Sequence, residues 1–254
     1  MSFVPHNRVR LDVALIDRGL APSRERARAL ILAGEVTVDG HPSTKAGTLV
    51  ADDAVIAVRT PDHPWVGRGG VKLAHALEIF GIDVRGRLAL DVGASTGGFT
   101  DVLLQRDAAR VVALDVGHHQ LDWRLRRDHR VVTIEGFNAR YLRPEDLPLT
   151  SRVFDLVTID VAFISLRLIL PVVPPILAPD GSVIALVKPQ FEAGRDEVGA
   201  GGIVRDPDVH ARVIDDVTRE AHRIGLERIA LEPSPIEGAG GNREFLMWLK
   251  HRGN

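Results

Sequence analysis

Cysteine is absent from this chain of 254 residues, which excludes disulfides, thiolate zinc sites and a cysteine nucleophile and leaves the compartment open. No apolar run reaches the length of a membrane span. The most apolar stretch, Leu166 to Ala178, is broken by Arg167, Pro171, Pro174 and Pro175. The opening residues, MSFVPHNRVR, contain no apolar core of signal-peptide length, so a soluble cytoplasmic protein is expected. Net charge is also small, at −2, so any affinity for nucleic acid has to come from a local cluster. The hydrophobic share of 45% and charged share of 26% are those of an ordinary globular protein. The length suits one large domain with a small companion. A monomer is expected.

The most informative stretch is Leu88 to Asp101, LALDVGASTGGFTD. A short apolar run passes through Asp91 into a glycine-rich turn and continues in residues of helical make-up. Strand, glycine turn and helix form the first half of a nucleotide-binding βαβ unit. Gly93, Gly97 and Gly98 free the backbone and clear side chains where a ligand approaches. Ala94 stands where a dinucleotide fingerprint would have its second glycine, and no Lys-Ser/Thr follows to hold phosphate. The next strand, residues 110–115, ends on Asp115, an acid suited to the two ribose hydroxyls of a nucleoside. An acid for ribose without a phosphate loop favours S-adenosyl-methionine over NAD or ATP.

Residues 1–58 read as a small α+β unit. Leu11, Ala14 and Leu15 repeat at helical spacing up to Gly19. Ser23 is placed to cap a second helix that ends at Gly34. Val36 to Val38 and Val55 to Val58 alternate like strands around an Asp39-Gly40 turn. Between Arg8 and Arg28 six arginines (Arg8, Arg10, Arg18, Arg24, Arg26 and Arg28) face three acids. Arg24 and Arg28 share a helical face, which suits either a phosphate backbone or plain solvent. Residues 59–70, rich in proline and glycine around Trp65, read as a linker.

A helix is expected from Val71 to Phe80, with Lys72 in its first turn against the helix dipole. Beyond the glycine turn, strands fit at 110–115, 130–134, 153–159, 182–187, 226–232 and 244–249. Helices fit at 119–127, 165–178 and 207–224. That alternation predicts an α/β, Rossmann-like, doubly wound and mostly parallel sheet over residues 71–254. Asp160 and Lys188 end two strands and should face the ligand crevice, though an ion pair with no chemistry is an equal reading. Glu244 joins them if its strand runs antiparallel. Residues 189–205 form a glycine-rich loop, either a lid or an ordinary surface loop. His118 and His119 have no partner at metal-ligand spacing. Arg124, Arg126, Arg127 and Arg130 make a second basic cluster, ambiguous between solvent and RNA.

With these motifs in place, the chain resembles the TlyA family of ribosomal RNA 2′-O-methyltransferases, some of which carry the name hemolysin. The likeness runs from Arg10 to Lys250 and rests on SRERARALILAGEVTVDG, RGGVKLAHAL, DVGASTGGFTDVLL, LDVGHHQLDWRLR, TIDVAFISL, LVKPQFE, GGIVRDP and GNREFLMWL. It implies an S4-type RNA-binding domain and an FtsJ-type methyltransferase domain acting on ribosomal RNA or ribosomal subunits, with S-adenosyl-methionine as cofactor and no metal. The Lys-Asp-Lys-Glu tetrad of that type falls on Lys72, Asp160, Lys188 and Glu244. Ala162 departs from a serine common there. The implied cofactor contacts are Asp91, Gly93, Ala94, Ser95, Gly97, Gly98, Phe99, Asp115, Asn138 and Asp160. The implied RNA contacts are Arg8, Arg10, Arg18, Arg24 and Arg28. Lys188 is the expected base if burial and the positive charge of Lys72 and the sulfonium depress its pKa; Asp160 and Glu244 act the other way, so their expected role is to aim the lysines and the hydroxyl. The competing readings are an inactive ribosome-binding assembly factor, a membrane-active hemolysin and an NAD-dependent oxidoreductase.

Overall fold

A computed structural model describes residues 8–21, 23–32, 34–58, 63–147 and 153–252. The first seven residues of the chain, and residues 59–62 of the expected linker, lie outside them. The N-terminal unit holds β1 (Arg8–Arg10), α1 (Leu11–Asp17), α2 (Arg24–Leu32), β2 (Val36–Val38), β3 (His41–Pro42), β4 (Leu49–Ala51) and β5 (Ile56–Val58). Ser23 Oγ accepts the Arg26 amide at the start of α2, as its sequence position suggests. Leu11, Leu15, Ala27, Ile31 and Val36 close a core of their own. Strands β1, β3 and β4 are too short for any periodicity to reveal.

The larger part runs α3 (Gly69–Ile79), β6 (Leu88–Val92), α4 (Gly98–Gln105), β7 (Arg110–Leu114), α5 (Trp123–Arg127), β8 (Val131–Ile134), β9 (Phe154–Ile159), α6 (Leu166–Ile169), β10 (Leu177–Val187), α7 (Pro189–Glu192), α8 (Pro207–Arg223), β11 (Leu226–Pro233) and β12 (Phe245–His251). Its seven strands lie in the order β11-β12-β10-β9-β6-β7-β8, with β12 antiparallel to both neighbours and the other pairings parallel. This is the doubly wound sheet expected from the alternation.

Both faces are covered, and the pleat decides which residue goes where. Leu90 and Val112 enter one core, under α6 and α8, while Ala89 and Val111 enter the other, under α3 and α4. Trp65 packs into this second core, so the end of the expected linker belongs to the catalytic body. A Cβ on Gly70 would stand 2.6 Å from Trp65, so only glycine fits where α3 begins.

Two expected elements differ. The helix over 165–178 shrinks to α6 followed by single 3-10 turns, because Pro171, Pro174 and Pro175 lack the amides a longer helix needs. The 189–205 loop is partly ordered: it holds α7 and two short 3-10 turns.

Candidate active site

Four strand ends meet at one edge of the sheet. Val92 pairs with Ile159 across β6 and β9, so the next residues, Gly93 and Asp160, sit opposite each other. The Asp160 amide donates to the Val92 carbonyl at 2.9 Å. A Cβ on Gly93 would lie 2.6 Å from the Asp160 carbonyl oxygen, and Gly93 has φ +84°, so both space and conformation require glycine. Val187 pairs with Phe245 across β10 and β12, which places Lys188 beside Glu244. The reversed direction of β12 thus brings its first residues to the same edge as the last residues of the parallel strands.

Lys72 reaches this edge from the first turn of α3. That helix crosses the start of α4 so closely that a Cβ on Gly98 would be 2.8 Å from the Gly70 nitrogen. Lys72 Nζ makes an ion pair with Glu244 Oε2, and both side chains are buried. Lys188 Nζ lies 2.5 Å from Asp160 Oδ1. Two cations and two anions therefore close one buried cluster. Burial would push the Asp160 carboxyl up, but the charges of Lys188 and Lys72 hold it below its ordinary value. Burial would likewise lower Lys188, but Asp160 and Glu244 outweigh it and raise the ammonium above its ordinary value. The pull of Asp160 and Glu244, expected to oppose the depression of Lys188, is thus the stronger influence in this state.

The glycine turn forms the adjoining wall. Asp115 closes β7 and accepts the Ser95 amide at 2.8 Å on one oxygen and the Gly117 amide at 2.7 Å on the other. It lines a small pocket with Ala94, Ser95, Gln120, Leu121 and Glu135. An ionised carboxylate has about four acceptor positions, so Asp115 keeps room for a ribose. Gly97 has φ +98° and a Cβ there would strike Leu125, which packs α5 against the turn. The cradle is bounded by backbone that tolerates no side chain, ends on an acid and adjoins a cluster rich in charge. These residues fit an adenosyl cofactor.

Four further expected contacts are engaged within the protein or at its surface. Asp91 is 0% exposed and accepts hydroxyl bonds from Thr100 at 2.7 Å and Thr158 at 2.9 Å. Burial, with a smaller push from Asp160, raises it to about 7. Its role is to tie β6 to α4 and β9 behind the turn. Gly98 and Phe99 are buried in the α3–α4 packing. Asn138 is exposed and its side-chain oxygen accepts the Arg140 amide.

The N-terminal arginines also differ from a plain basic face. Arg10 Nε, Arg24 Nε and Arg28 Nε converge on Asp12, at 2.9, 2.9 and 3.2 Å. Asp12 is completely buried, yet the three guanidiniums hold its carboxyl far below the ordinary range. The result is a pre-organised, half-exposed cluster with excess positive charge. Arg18 is spent on the carbonyls of Ala51, Asp52 and Ala54, so it braces a turn. Arg8 is exposed in β1.

One residue escaped the sequence reading altogether. Phe163, three positions after Asp160, is 88% exposed and adopts φ +63°, a strained backbone for an aromatic residue. Its ring tilts against Phe191, 5.1 Å away in α7. Glu192 buckles the two loops together by accepting Ser165 Oγ and the Leu166 amide, each at 2.5 Å. The only hint in the sequence is a large aromatic between a catalytic-looking acid and a helix cap.

The sequence matches the FtsJ-like methyltransferase family over residues 65–251 and the S4 domain over residues 9–56. The 16S/23S rRNA (cytidine-2′-O)-methyltransferase TlyA of Mycobacterium tuberculosis is 49% identical over 96% of this chain and 90% of its own. Hemolysin A of Brachyspira hyodysenteriae is 40% identical over 94% of this chain and 98% of its own. A solved hemolysin-named structure from Streptococcus thermophilus has 43% identity and a TM-score of 0.75, covering 97% of this chain and 90% of that one.

Proposed function

The chain belongs to the FtsJ-like methyltransferase family, and we propose that it transfers the methyl group of S-adenosyl-methionine to a ribose 2′-hydroxyl of ribosomal RNA. The observation that carries this reading is the tetrad Lys72, Asp160, Lys188 and Glu244 beside a glycine turn and the small pocket lined by Asp115. We take the cytoplasm, where ribosomal RNA is found, as the site of action.

S-adenosyl-methionine supplies an electrophilic methyl on a positively charged sulfur. Gly93, Ala94, Ser95 and Asp115 would hold its adenosyl part. The tetrad receives the ribose hydroxyl, a poor nucleophile that must lose its proton as it attacks. Lys188 Nζ is the acceptor in this reading. It starts as an ammonium, so its own proton has to leave first, and added positive charge beside the cluster makes that loss easier. Asp160 aims the lysine amine, and Glu244 with Lys72 fixes the far side of the hydroxyl. Holding hydroxyl and methyl in line contributes at least as much as the proton transfer. Phe163 would stack on the base of the target nucleotide, a contact that suits any base face; its ring lies against Phe191, whose ring centre is 6.0 Å from Lys188 Nζ.

An inactive assembly factor is disfavoured because all four members of the tetrad are retained and gathered beside the glycine turn. A membrane-active role is disfavoured too: among the described residues, no helix is long and apolar enough to cross a membrane.

The direct test is incubation with labelled methyl donor and unmodified ribosomal subunits, followed by alkaline hydrolysis. A 2′-O-methyl blocks cleavage at its own phosphodiester, so label should appear in alkali-resistant dinucleotides. Label in bases or protein, or none, would reject the reading. Within the same scheme, Asp115→Ala should weaken cofactor binding by about tenfold to somewhat over a hundredfold, since a hydrogen bond to a charged group contributes about 1.5–3 kcal/mol. Calorimetry on the folded variant checks this, and unchanged affinity would move the nucleoside elsewhere.

A further inference from the structure

The four arginines from Arg124 to Arg130 look alike in sequence, but their surroundings separate them. Arg126 pairs with Glu135 and Arg130 with Asp128, so both are locally neutralised. Arg124 pairs with Asp122 at 3.1 Å. Arg127 meets no carboxylate among the described residues; its guanidinium lies 5.2 Å from the centre of the Trp123 ring. Trp123 is 61% exposed, although α5 buries Leu125 and the preceding Leu121 against the glycine turn. The helix is thus anchored by its leucines and turns a tryptophan outward with a cation on it.

This face is continuous with the N-terminal unit. Arg26, on α2 between Arg24 and Arg28, reaches Asp122 at 3.4 Å. Asp122 also caps α5, and its amide donates to the Thr96 carbonyl in the glycine turn at 3.1 Å. Arg24 and Arg28 share the face of α2 that grips Asp12, and Arg26 leaves from the other side, so the patch at the rim of the cofactor cradle is Arg26, Arg124, Arg127 and Trp123 around Asp122. The patch sets three guanidiniums (Arg26, Arg124 and Arg127) against one carboxylate, Asp122. Excess positive charge tracks a phosphate backbone, and an exposed indole offers a face to an unpaired base.

We infer that the Trp123–Arg127 face of α5 is a stacking platform for single-stranded RNA outside the target nucleotide, bordered by Arg26 of the N-terminal unit. The inference rests on RNA being the substrate class. It assigns Trp123 to a base and Arg127 to the adjoining phosphate, and neither to the methyl donor.

The test uses the full-length protein with protein-free ribosomal RNA transcripts and with intact ribosomal subunits, at several salt concentrations. Trp123→Ala should weaken binding to protein-free RNA about tenfold, whereas Trp123→Phe, which keeps a stacking face, should retain most of it. Arg127→Ala should flatten the log–log salt dependence by about 0.7, the value of one single-strand phosphate contact. Cofactor affinity should not change in any of the three. Wild-type affinity and slope in Trp123→Ala and Arg127→Ala would overturn the platform. So would a loss seen with subunits but not with protein-free RNA, because the face would then meet a ribosomal protein. A wild-type protein that binds RNA but transfers no methyl would reject the proposed activity alone, with the platform still measured by binding.

Discussion

Lys188→Ala should lower methyl transfer by about 10²–10⁴-fold, the usual contribution of a positioned base, while cofactor affinity does not fall. Lys188→Arg separates two roles. Arginine keeps the positive charge beside Asp160 but does not deprotonate in a protein. If Lys188 Nζ accepts the hydroxyl proton, the arginine variant is as slow as the alanine one. If the lysine only holds Asp160 in place, arginine restores much of the rate. The pH profile adds a second reading. Asp160 and Glu244 hold the ammonium above its ordinary value of 10.5, and the base must be neutral. With S-adenosyl-methionine as the varied substrate and binding first, kcat/KM reports the cofactor-free enzyme and should therefore rise about tenfold per pH unit, with no plateau across the range where the protein stays folded. A plateau near neutrality, or an active Lys188→Arg variant, would take the base assignment away from Lys188.

Local features of this fold were legible and its long-range meetings were not. Ala89 and Leu90 alternate between two cores, and glycines end the strand, so β6 and its turn could be read from a single window. The ends of β7, β9 and β10 were readable for the same reason, which is how Asp115, Asp160 and Lys188 came to notice. Lys72 and Glu244 are 172 positions apart and meet only through the α3–α4 crossing and the reversal of β12. No periodicity carries that information: each was noticed separately, Lys72 for its place against the helix dipole and Glu244 on condition of an antiparallel strand, and only the resemblance put them together. Asp12 is a similar case. In sequence it is one acid among arginines, but burial makes it the centre on which three guanidiniums gather. The sign of the Lys188 shift also depends on which charges lie nearest, a matter of ångströms rather than residue types. Phe163 became visible only through its exposure and its left-handed backbone.

Lys72→Ala should cost stability as well as activity, and the two losses can be separated. The lysine sits in the first turn of α3, where the helix dipole disfavours it, and it is held there by Glu244. Truncating it strands a buried carboxylate, which costs about 3–5 kcal/mol. For a chain of this size that lowers Tm by roughly 6–20 °C, measurable by calorimetry. Replacing both partners, as Lys72→Met with Glu244→Leu, removes the stranded charge and should return most of that stability, because apolar side chains of similar volume fill the same buried space. If the pair orients the ribose hydroxyl, the refolded double variant still transfers methyl at least a hundredfold more slowly than wild type, on the scale of a misplaced reacting group. A double variant that regains stability and rate together would reduce Lys72 and Glu244 to a structural ion pair and leave Asp160 and Lys188 to carry the chemistry alone.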